Sequence, residues 1–464
     1  MKITFYGGTG SVTGANFLIE QTDKDGNTNL STSSRQVKIL VDCGLMQGTR
    51  TADSFNRDSF PYNPSEIDYL LVTHAHIDHI GRIPKLVKDG FVGKIISTPP
   101  TKEIAQFLLE DALKILDDEA RREGILPLYE EKDVSKTFTL WDTLEYHKAF
   151  GLGDDISIYL RDSGHILGSS MIEISDGVEK VVFTGDLGNS PSLLLKDTEI
   201  ITDANYIIME SVYGDRNHES KDLRRQKLQD IIQDTIQNKR ELIIPAFSLE
   251  RTQMILYEMN EFFENDVLSQ IPVFLDSPLA IKITKVYEKY SSYFNDKIRA
   301  DIASGDDVFK FPKLKFTVQA EESERIDFTP NPKIIIAGSG MSNGGRIVHH
   351  EKDHVSDPKA TILLVGYQAT GTLGRHLEDG AKEVTIYKDK MKVKAKIGKI
   401  EGYSSHKDSD NLVAFVEKAN EGGKLKKVFT VMGEPKSSLF LVQRLRDEIG
   451  VDAEYPEYGE NVEC

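Results

Sequence analysis

The chain has few cysteines, no long apolar run and no surplus of positive charge. Its two cysteines, Cys43 and Cys464, cannot form a disulfide framework, and so few thiols favour a reducing, cytoplasmic location. No stretch approaches the ~18 consecutive apolar residues that a membrane span requires, so we expect no membrane partner. The net charge of −17 argues against a general nucleic-acid coat, although an enzyme with a locally basic channel stays open.

The length and composition favour a globular protein with more than one domain. At 464 residues the chain exceeds the roughly 250–300 residues at which single cores stop growing. Its 39% hydrophobic and 28% charged residues are typical of a folded protein and not of a disordered one. We therefore expect two or three domains, or one domain inserted into another.

Short apolar runs separated by polar or glycine-rich joints predict an α/β fold. Predicted strands of the first half are 2–6, 16–20, 37–41, 69–72, 95–97, 156–160, 171–175, 181–183 and 206–209. Helices are predicted at 80–88, 102–119 and 220–238, and an extended polar loop at 22–35. A second pattern alternates helices with strands at 241–245, 273–276, 333–337 and 361–365, which indicates a parallel sheet. Strand character returns at 392–400 and 427–432.

The strongest chemical signal is the sequence His-Ala-His-Ile-Asp-His, which directly follows a predicted buried strand. His74, His76, Asp78 and His79 are residue types that bind zinc and related metals. Four such groups cannot be buried without a cation that satisfies their lone pairs. The alternative is a solvated loop that happens to be rich in histidine, and with only 11 histidines in the chain it is a poor explanation.

Two further segments place a polar residue between glycines near the end of a predicted strand. His165 lies in Ser-Gly-His-Ile-Leu-Gly, and Asp186 lies in Thr-Gly-Asp-Leu-Gly. Each by itself is explained at least as well by a tight turn with a polar tip. Together with the histidine cluster, they supply the number of ligands that a dinuclear metal site needs.

The order of these motifs, which begins with Val-Asp-Cys-Gly around Asp42, resembles the metallo-β-lactamase superfamily. The resemblance implies an αββα sandwich, in which two β-sheets have helices outside and metals at one edge. It assigns metal ligands to matching positions: His74, His76 and His165 to one metal, Asp78 and His79 to a second, and Asp186 to both. Asp42 is expected to hold the ligands in place by hydrogen bonding.

Later motifs narrow the resemblance to the β-CASP nuclease branch. Glu210 begins Glu-Ser-Val-Tyr-Gly-Asp-Arg, which is similar to the family's Glu-Ser-Thr-Tyr-Gly-x-Arg, and His406 ends a counterpart of Phe-Ser-Ala-His. The motifs between them follow in family order, at 244–253, 276–280, 338–342 and 365–375. The resemblance covers residues 2 to about 444 and implies a metallo-β-lactamase domain at 1–208, an inserted β-CASP α/β domain at 209–390, and completion of the first domain by 391–464.

The activity that this resemblance implies is hydrolysis of RNA phosphodiester bonds by metal-activated water. Asp78, Glu210 and His406 are the expected catalytic residues. Glu210 is expected to orient His406, which donates a proton to the leaving ribose oxygen, because a carboxylate raises an imidazole pKa toward the working range. Zinc is the expected metal, with manganese as an alternative. Single-stranded RNA is the expected partner, and a homodimer is one option.

Four residues of the predicted insertion are candidates for contacts with substrate: Ser248, Arg251, Ser339 and Arg375. The glycine-rich stretch 338–345 can present backbone N–H groups to a phosphate, although a plain loop explains it about equally well. The two arginines are explained equally well as solvated surface residues.

Two other functions stay open. The first is a hydrolase of another ester or small phosphodiester, which the inserted domain disfavours. The second is a degenerate protein that binds RNA or a partner without cutting. The departures from the family motifs that favour it are Val212, Glu250 and Met432.

Met432 is the departure that affects the metal site directly. The family places a histidine of Val-His-Gly-Glu on the second metal, whereas this chain reads Val-Met-Gly-Glu at 431–434. A thioether is a soft, neutral and poor ligand for zinc or manganese. We therefore expect one firmly bound zinc and a second metal that is weakened or lost.

The purified protein is predicted to hold fewer than two tightly bound metals per chain at the site of the histidine motif. Met432→His should raise the metal content, because an imidazole replaces the thioether at the second metal. Elemental analysis of both proteins after gel filtration measures this. Two tightly held metals per chain that are both lost in His76→Ala would contradict the prediction.

Overall fold

The computed structural model describes residues 1–21, 37–48, 52–153 and 155–464. The loop predicted at 22–35 lies outside these residues. The described chain divides into two compact units. The first unit comprises Met1–Asn217 and His406–Cys464, and the second is His218–Ser405.

Twenty-two strands and fourteen α-helices are present in the described residues. The strands are β1 Lys2–Phe5, β2 Phe17–Glu20, β3 Lys38–Val41, β4 Tyr69–Leu71, β5 Lys94–Ser97, β6 Trp141–Thr143, β7 Phe150–Leu152, β8 Ile156–Asp162, β9 Ser170–Ser175, β10 Lys180–Phe183, β11 Tyr206–Glu210, β12 Glu241–Pro245, β13 Val273–Leu275, β14 Leu314–Phe316, β15 Lys333–Ala337, β16 Ala360–Val365, β17 Glu383–Ile386, β18 Asp389–Lys392, β19 Lys396–Ile400, β20 Lys427–Val431, β21 Ala453–Glu454 and β22 Asn461–Glu463. The α-helices are α1 Ala52–Arg57, α2 Ile77–Ile80, α3 Ile83–Lys88, α4 Pro99–Glu123, α5 Glu131–Thr139, α6 Lys221–Gln237, α7 Arg251–Glu264, α8 Pro278–Lys289, α9 Asp296–Ala303, α10 Ala320–Glu324, α11 Ile347–His354, α12 Leu373–Glu378, α13 Ser409–Asn420 and α14 Pro435–Arg444.

The first unit is built on two seven-stranded sheets that pack face to face. Their strand orders are β22-β1-β2-β3-β4-β5-β6 and β21-β20-β11-β10-β9-β8-β7. Side chains of both sheets share one apolar core, in which the rings of Phe5 and Phe429 are 5.6 Å apart and those of Phe17 and Phe183 are 5.8 Å apart. The sandwich therefore forms because each sheet presents one apolar face to the other.

The second sheet is buried on both faces. Apolar residues in its strands alternate between the core shared by the two sheets and a second cluster on the outer face. Ile172 and Ile174 of β9 point into the core between the sheets, whereas Met171 belongs to the apolar cluster on the outer face. Helices α13 and α14 supply Leu412, Leu441 and other residues to that outer cluster. Since successive side chains of a strand face opposite sides, the two clusters share the same strands.

The second unit contains a six-stranded sheet in the order β14-β13-β15-β12-β16-β19. All of its strand pairs are parallel. The neighbours β12 and β15 are followed by connections that run in opposite directions across the sheet. The chain goes from β12 past β15 to β13, and from β15 past β12 to β16. Such a reversal opens a crevice at the carboxyl ends of the two strands, where ligands bind in open α/β sheets.

Most of the predicted elements are confirmed. All nine strands predicted in the first half are present within a few residues, and so are the four strands of the parallel sheet. The continuous strand predicted at 392–400 is wrong, because the chain leaves β18 at Lys392 and resumes as β19 at Lys396. The helix predicted at 80–88 is divided into α2 and α3.

The division between the units falls at 217/218 and 405/406, whereas the sequence-based boundaries are 208/209 and 390/391. Glu210 ends β11 in a sheet of the first unit, and β19 pairs with β16 in the sheet of the second. Strand pairing therefore places Glu210 with the first unit and Lys396–Ile400 with the second. None of the described helices is long and apolar enough to cross a membrane.

A buried carboxyl group lies in the second unit at Glu351 of α11. The side chain is fully buried, its Oε1 accepts a hydrogen bond from Ser342, and its Oε2 has no hydrogen-bond partner. Burial raises the pKa of Glu351 to about 8. The carboxyl group is therefore protonated in the folded protein at neutral pH.

Glu351 is predicted to make the folded protein less stable as the pH rises. Because its folded pKa lies above the unfolded one, the stabilisation is complete at low pH and is lost between roughly pH 4.5 and pH 8, by at most about 1.4 kcal/mol per pH unit. Glu351→Gln should remove this slope. Urea unfolding of both proteins at pH 5 and pH 8 measures the difference, and equal slopes for the two proteins would contradict the prediction.

Candidate metal centre

The ends of strands in the two sheets of the first unit bring the polar side chains together. In the first sheet, the parallel neighbours β3 and β4 lead into Asp42 and His74. In the second sheet, β10 leads into Asp186, and β11 ends at Glu210. Parallel strands end at the same edge of a sheet, so the loops that follow them meet.

A hydrogen-bonded group around Thr73 fixes two of the histidines. The backbone N–H and the hydroxyl of Thr73 each donate to Asp42, both at 2.8 Å, and Nδ1 of His79 lies 2.7 Å from the same carboxylate. A carboxylate only accepts, so Nδ1 of His79 carries the proton. The Thr73 hydroxyl donates its only hydrogen to Asp42, so it can only accept a hydrogen bond from Nδ1 of His74, which lies 3.0 Å away. Nδ1 of His74 is therefore also protonated. In the neutral imidazole of His74, Nε2 is thereby left with a free lone pair, and Nε2 is also the atom of His79 that is available to a metal once its proton is displaced.

Four side chains converge on one point from these loops. Nε2 of His74 lies 3.0 Å from Nδ1 of His76 and 3.3 Å from Oδ2 of Asp186. Nε2 of His165 lies 3.3 Å from the same atom of His76 and 3.4 Å from the same atom of Asp186. Corners of a tetrahedron with zinc bonds of ~2.0–2.1 Å are separated by roughly 3.3–3.4 Å, so this spacing fits a zinc ion.

The other half of the site is formed by Asp78, His79 and the second oxygen of Asp186. Nε2 of His79 lies 3.5 Å from Oδ1 of Asp186 and 3.8 Å from Oδ2 of Asp78. Both Nε2 of His79 and Oδ1 of Asp186 are buried and have no hydrogen-bond partner. Buried polar atoms without a partner are costly, and these two are suitable ligand atoms for a cation.

The protonation of the histidines differs between the halves. Burial lowers the pKa of His74, and it lowers the pKa of His76 and His165 well below the ordinary value, so these three imidazoles are neutral. Burial also opposes the charged form of His79, but Asp186, Asp42 and Asp78 outweigh it and raise its pKa well above the usual range. Neutral imidazole is the form that binds a metal, and at His79 a cation would have to displace a proton.

Glu210 and His406 form a carboxylate–imidazole pair beside this cluster. Nδ1 of His406 lies 3.0 Å from Oε2 and 3.2 Å from Oε1 of the fully buried Glu210. The same atom is 3.9 Å from Asp186, and the ring of His406 is 4.6 Å from that of His165. Burial opposes the charged form of His406, but Glu210 and Asp186 outweigh it and raise its pKa to about 9.

Met432 directly follows β20, which is the next strand beside β11. Its side chain is buried in the core between the sheets, and its N–H donates to the carbonyl of Gly8 at 2.6 Å. Met432 also lines a cavity of about 10 Å³, together with Asp42, Thr73 and His79. The thioether thus occupies the wall of the site next to His79, where the family histidine is expected.

Two residues that the sequence analysis did not single out support the site. Thr73 connects Asp42 to His74, as described above; its signal in the sequence is its place between a buried strand and the histidine motif. Lys407 follows His406, and its buried Nζ donates to the carbonyl of Gly188 at 2.8 Å and to Ser190 at 3.1 Å. Burial lowers the pKa of Lys407 to about 8. No motif indicates a lysine that ties the loop of Asp186 to that of His406.

The four predicted substrate contacts lie in the second unit. Ser248 follows β12, with its hydroxyl 3.4 Å from that of Ser277, and Ser339 follows β15 and donates to Asn343. A Cβ added to Gly338 would lie 3.3 Å from Oγ of Ser248, so both loops meet at the reversal of strand order.

The two arginines are already engaged within the second unit. Arg251 donates to the carbonyl of Val365, and Arg375 pairs with Asp379 at 2.9 and 3.0 Å.

Three family models match successive parts of the chain. The Metallo-beta-lactamase superfamily matches residues 34–246, the Beta-Casp domain matches 252–377, and the Zn-dependent metallo-hydrolase RNA specificity domain matches 390–456. The αββα sandwich and the inserted α/β domain that the motifs predicted are thereby confirmed.

Curated relatives extend the similarity over most of the chain. Ribonuclease TTHA0252 of Thermus thermophilus is 32% identical, over 82% of this chain and 85% of its own length. An RNase J-like protein of Methanocaldococcus jannaschii is 32% identical, over 89% and 91%. Transcription termination factor FttA of Methanosarcina mazei is 30% identical, over 90% and 67%. A crystal structure of a protein of unknown function from Enterococcus faecalis V583 has a TM-score of 0.53 at 13% identity, with 99% of both chains covered, which shows a shared fold.

Thr73→Val is predicted to weaken metal binding by roughly 10- to 100-fold, because His74 loses the acceptor that fixes its tautomer and Asp42 loses a donor. Valine has the shape of threonine, so packing is retained. Competition with a chromophoric zinc chelator measures the affinity. Thr137→Val, which also removes a buried hydroxyl of the first unit, is the control. Equal zinc affinity of the two variants would contradict the role of Thr73.

Proposed function

This chain belongs to the metallo-β-lactamase superfamily and its β-CASP ribonuclease branch, and we propose that it cleaves single-stranded RNA with the Glu210–His406 pair as its proton donor. The observation that carries the proposal is the contact of this pair with the candidate metal centre. A generic metal site of this superfamily needs no such pair, whereas departure of a ribose oxygen requires a proton.

The metal ligands proposed are those that converge in the first unit. His74, His76, His165 and Asp186 would hold one zinc, and their spacing of 3.0–3.4 Å supports this metal. When bound, zinc supplies an activated water and neutralises charge that develops on the phosphate. Manganese is a weaker candidate, since it prefers more oxygen ligands than this set provides.

The second metal is proposed to be weakly bound. Asp78, His79 and one oxygen of Asp186 remain as its ligands, while position 432 offers a buried thioether. His79 also holds a proton strongly, because three carboxylates surround it. Both features oppose a cation at this half of the site, so we propose that the half built on His74 and His76 sustains the chemistry.

The chain's own groups divide the remaining tasks. Glu210 holds Nδ1 of His406 in a hydrogen bond, so the other ring nitrogen is the one that can donate a proton to a leaving oxygen. Leu187 donates its N–H to Glu210 at 2.6 Å, which fixes the carboxylate in turn. Asp78 is proposed to orient the attacking water by accepting a hydrogen bond.

RNA is proposed to contact the second unit at the reversal of strand order in its sheet. Ser248 and Ser339 lie in loops at the carboxyl ends of β12 and β15, where ligands of such sheets bind. Arg251 and Arg375 are less suited to a phosphate than their sequence context indicated, since both already bind groups of the protein. The names of the ribonuclease relatives and the match to an RNA specificity domain support this substrate class. A cytoplasmic location is part of the proposal.

A degenerate protein that binds RNA without cutting is the second candidate. Met432 is the observation that favours it, because it replaces a metal ligand. A hydrolase of a different ester is disfavoured by the match to the RNA specificity domain.

Cleavage of labelled single-stranded RNA, in the presence of zinc or manganese, tests the proposal. His76→Ala should abolish cleavage and remove the metal held by this centre, whereas His406→Ala should lower cleavage by roughly 100- to 10,000-fold and leave that metal in place. His147→Ala, at an exposed histidine of the same unit, is the control.

Three outcomes decide between the candidates. RNA binding without cleavage after metal loading would favour the degenerate protein. Loss of metal in His406→Ala would contradict its role as a proton donor and make it a ligand. Removal of metal by a chelator should stop cleavage, and addition of zinc should restore it.

A further inference from the structure

A second group of metal-binding side chains lies in the second unit, at the edge where the strands of its parallel sheet begin. Glu241 is the first residue of β12, Asp327 lies in a short 3₁₀ helix before β15, and His354 ends α11. One ligand atom from each lies within 4.8 Å of the others. The family motifs include none of these residues.

The two distances from His354 to the carboxylates match those between ligands of a metal ion. Nε2 of His354 lies 3.2 Å from Oε1 of Glu241 and 3.5 Å from Oδ1 of Asp327. Ligands of a tetrahedral zinc ion with bonds of ~2.0–2.2 Å are separated by roughly 3.3–3.6 Å. One imidazole and two carboxylates from three separate segments provide three such positions, and a water molecule would complete the set.

The carboxylate of Glu241 provides an independent indication of a ligand. Its side chain is only 3% exposed, and Oε1 has no hydrogen-bond partner. Nε2 of His354 is 3.2 Å from that oxygen but has hydrogen-bond geometry with Oδ1 of Asp327 instead, at 3.5 Å. Oε2 faces the ammonium group of Lys333 at 3.5 Å, which leaves Oε1 for another positive group. A buried carboxylate oxygen without a partner is costly.

The end of α11 adds a favourable field for a cation. The helix runs from Ile347 to His354, and its carboxyl end carries partial negative charge. A cation held by His354 therefore lies where the helix dipole stabilises it.

We propose that Glu241, Asp327 and His354 bind a divalent metal ion, preferably zinc, at a site distinct from the one in the first unit. Calcium is disfavoured, because imidazole is a poor ligand for it. The ion would join β12, the 3₁₀ helix and α11. The amino end of α11 follows Arg346. Within the helix, Nε2 of His350 pairs with Asp276 at 2.7 Å. The ion thus anchors a helix that follows the glycine-rich loop.

Zinc content and local protection test this site in the whole protein. Wild type, His354→Ala and Asp327→Asn are incubated with zinc chloride, passed through gel filtration and analysed for zinc. His376→Ala, at an exposed histidine of the same unit, is the matched control. We expect each of the two site variants to hold about one zinc fewer per chain than wild type and His376→Ala. Asp327 is about half exposed, so Asp327→Asn keeps the fold.

Amide hydrogen exchange gives a second measurement that does not depend on the catalytic metals. Zinc should slow exchange at 325–333 and 347–357 in wild type and His376→Ala, but not in the two site variants. Calcium at the same concentration should give no protection. Equal zinc content in all four proteins, or equal protection of these segments, would overturn the proposal.

Discussion

One buried carboxylate, Asp186, joins the two halves of the metal centre, and the arrangement of the first unit around it depends on that group. Only 3% of its surface is exposed, and its two oxygens face different histidines, Oδ2 facing His74 and His165 and Oδ1 facing His79. A buried carboxylate is tolerated only with compensating positive charge or hydrogen-bond donors, and a bound cation supplies that charge. The backbone makes the approach possible: Gly185 has a positive φ of 52°, and a Cβ there would lie 2.7 Å from Cβ of Thr73. The loop from one sheet therefore reaches the loop from the other only because glycine precedes Asp186.

In both units, polar side chains gather at the ends of strands, but the two units carry different sets of groups there. In the first unit, loops from two sheets bring together imidazoles, carboxylates and the Glu210–His406 pair. In the second unit, one parallel sheet has two chemically distinct edges. Its carboxyl edge carries Ser248 and Ser339, which suits contacts with a ligand, whereas its amino edge carries Glu241 with its unpartnered oxygen. The residues proposed to contact a ligand and the residues proposed to bind a structural metal thus lie at opposite edges of one sheet.

Met432 places an apolar side chain of the core at the position where the family has a metal-binding histidine. Its side chain belongs to the same apolar cluster as Phe17 and Phe183, and it lines the small cavity beside His79. Filling this position with carbon and sulfur gains apolar contacts and loses a ligand. Asp186, Asp42 and Asp78 meanwhile balance the charge of His79 and raise its pKa. The ribonuclease relatives show the family, and Met432 is the residue at which we propose that the chain departs from the family's metal site.

Local patterns in the sequence determined the strands that lead into the site and the residue types at their ends. Alternating apolar residues indicate buried strands such as β9, and a histidine motif after a strand indicates a metal ligand, because both signals lie within a few neighbouring residues. Short edge strands such as β6 and β14 carry no such pattern and were not predicted. Only the tertiary structure decided that Thr73 sets the tautomer of His74, that Lys407 ties two loops together, and that Glu241, Asp327 and His354 meet. Each of these depends on residues far apart in the chain, as the tautomer of His74 depends on the bond from Thr73 to Asp42. The geometry follows from strand pairing and packing, which no local stretch of sequence contains.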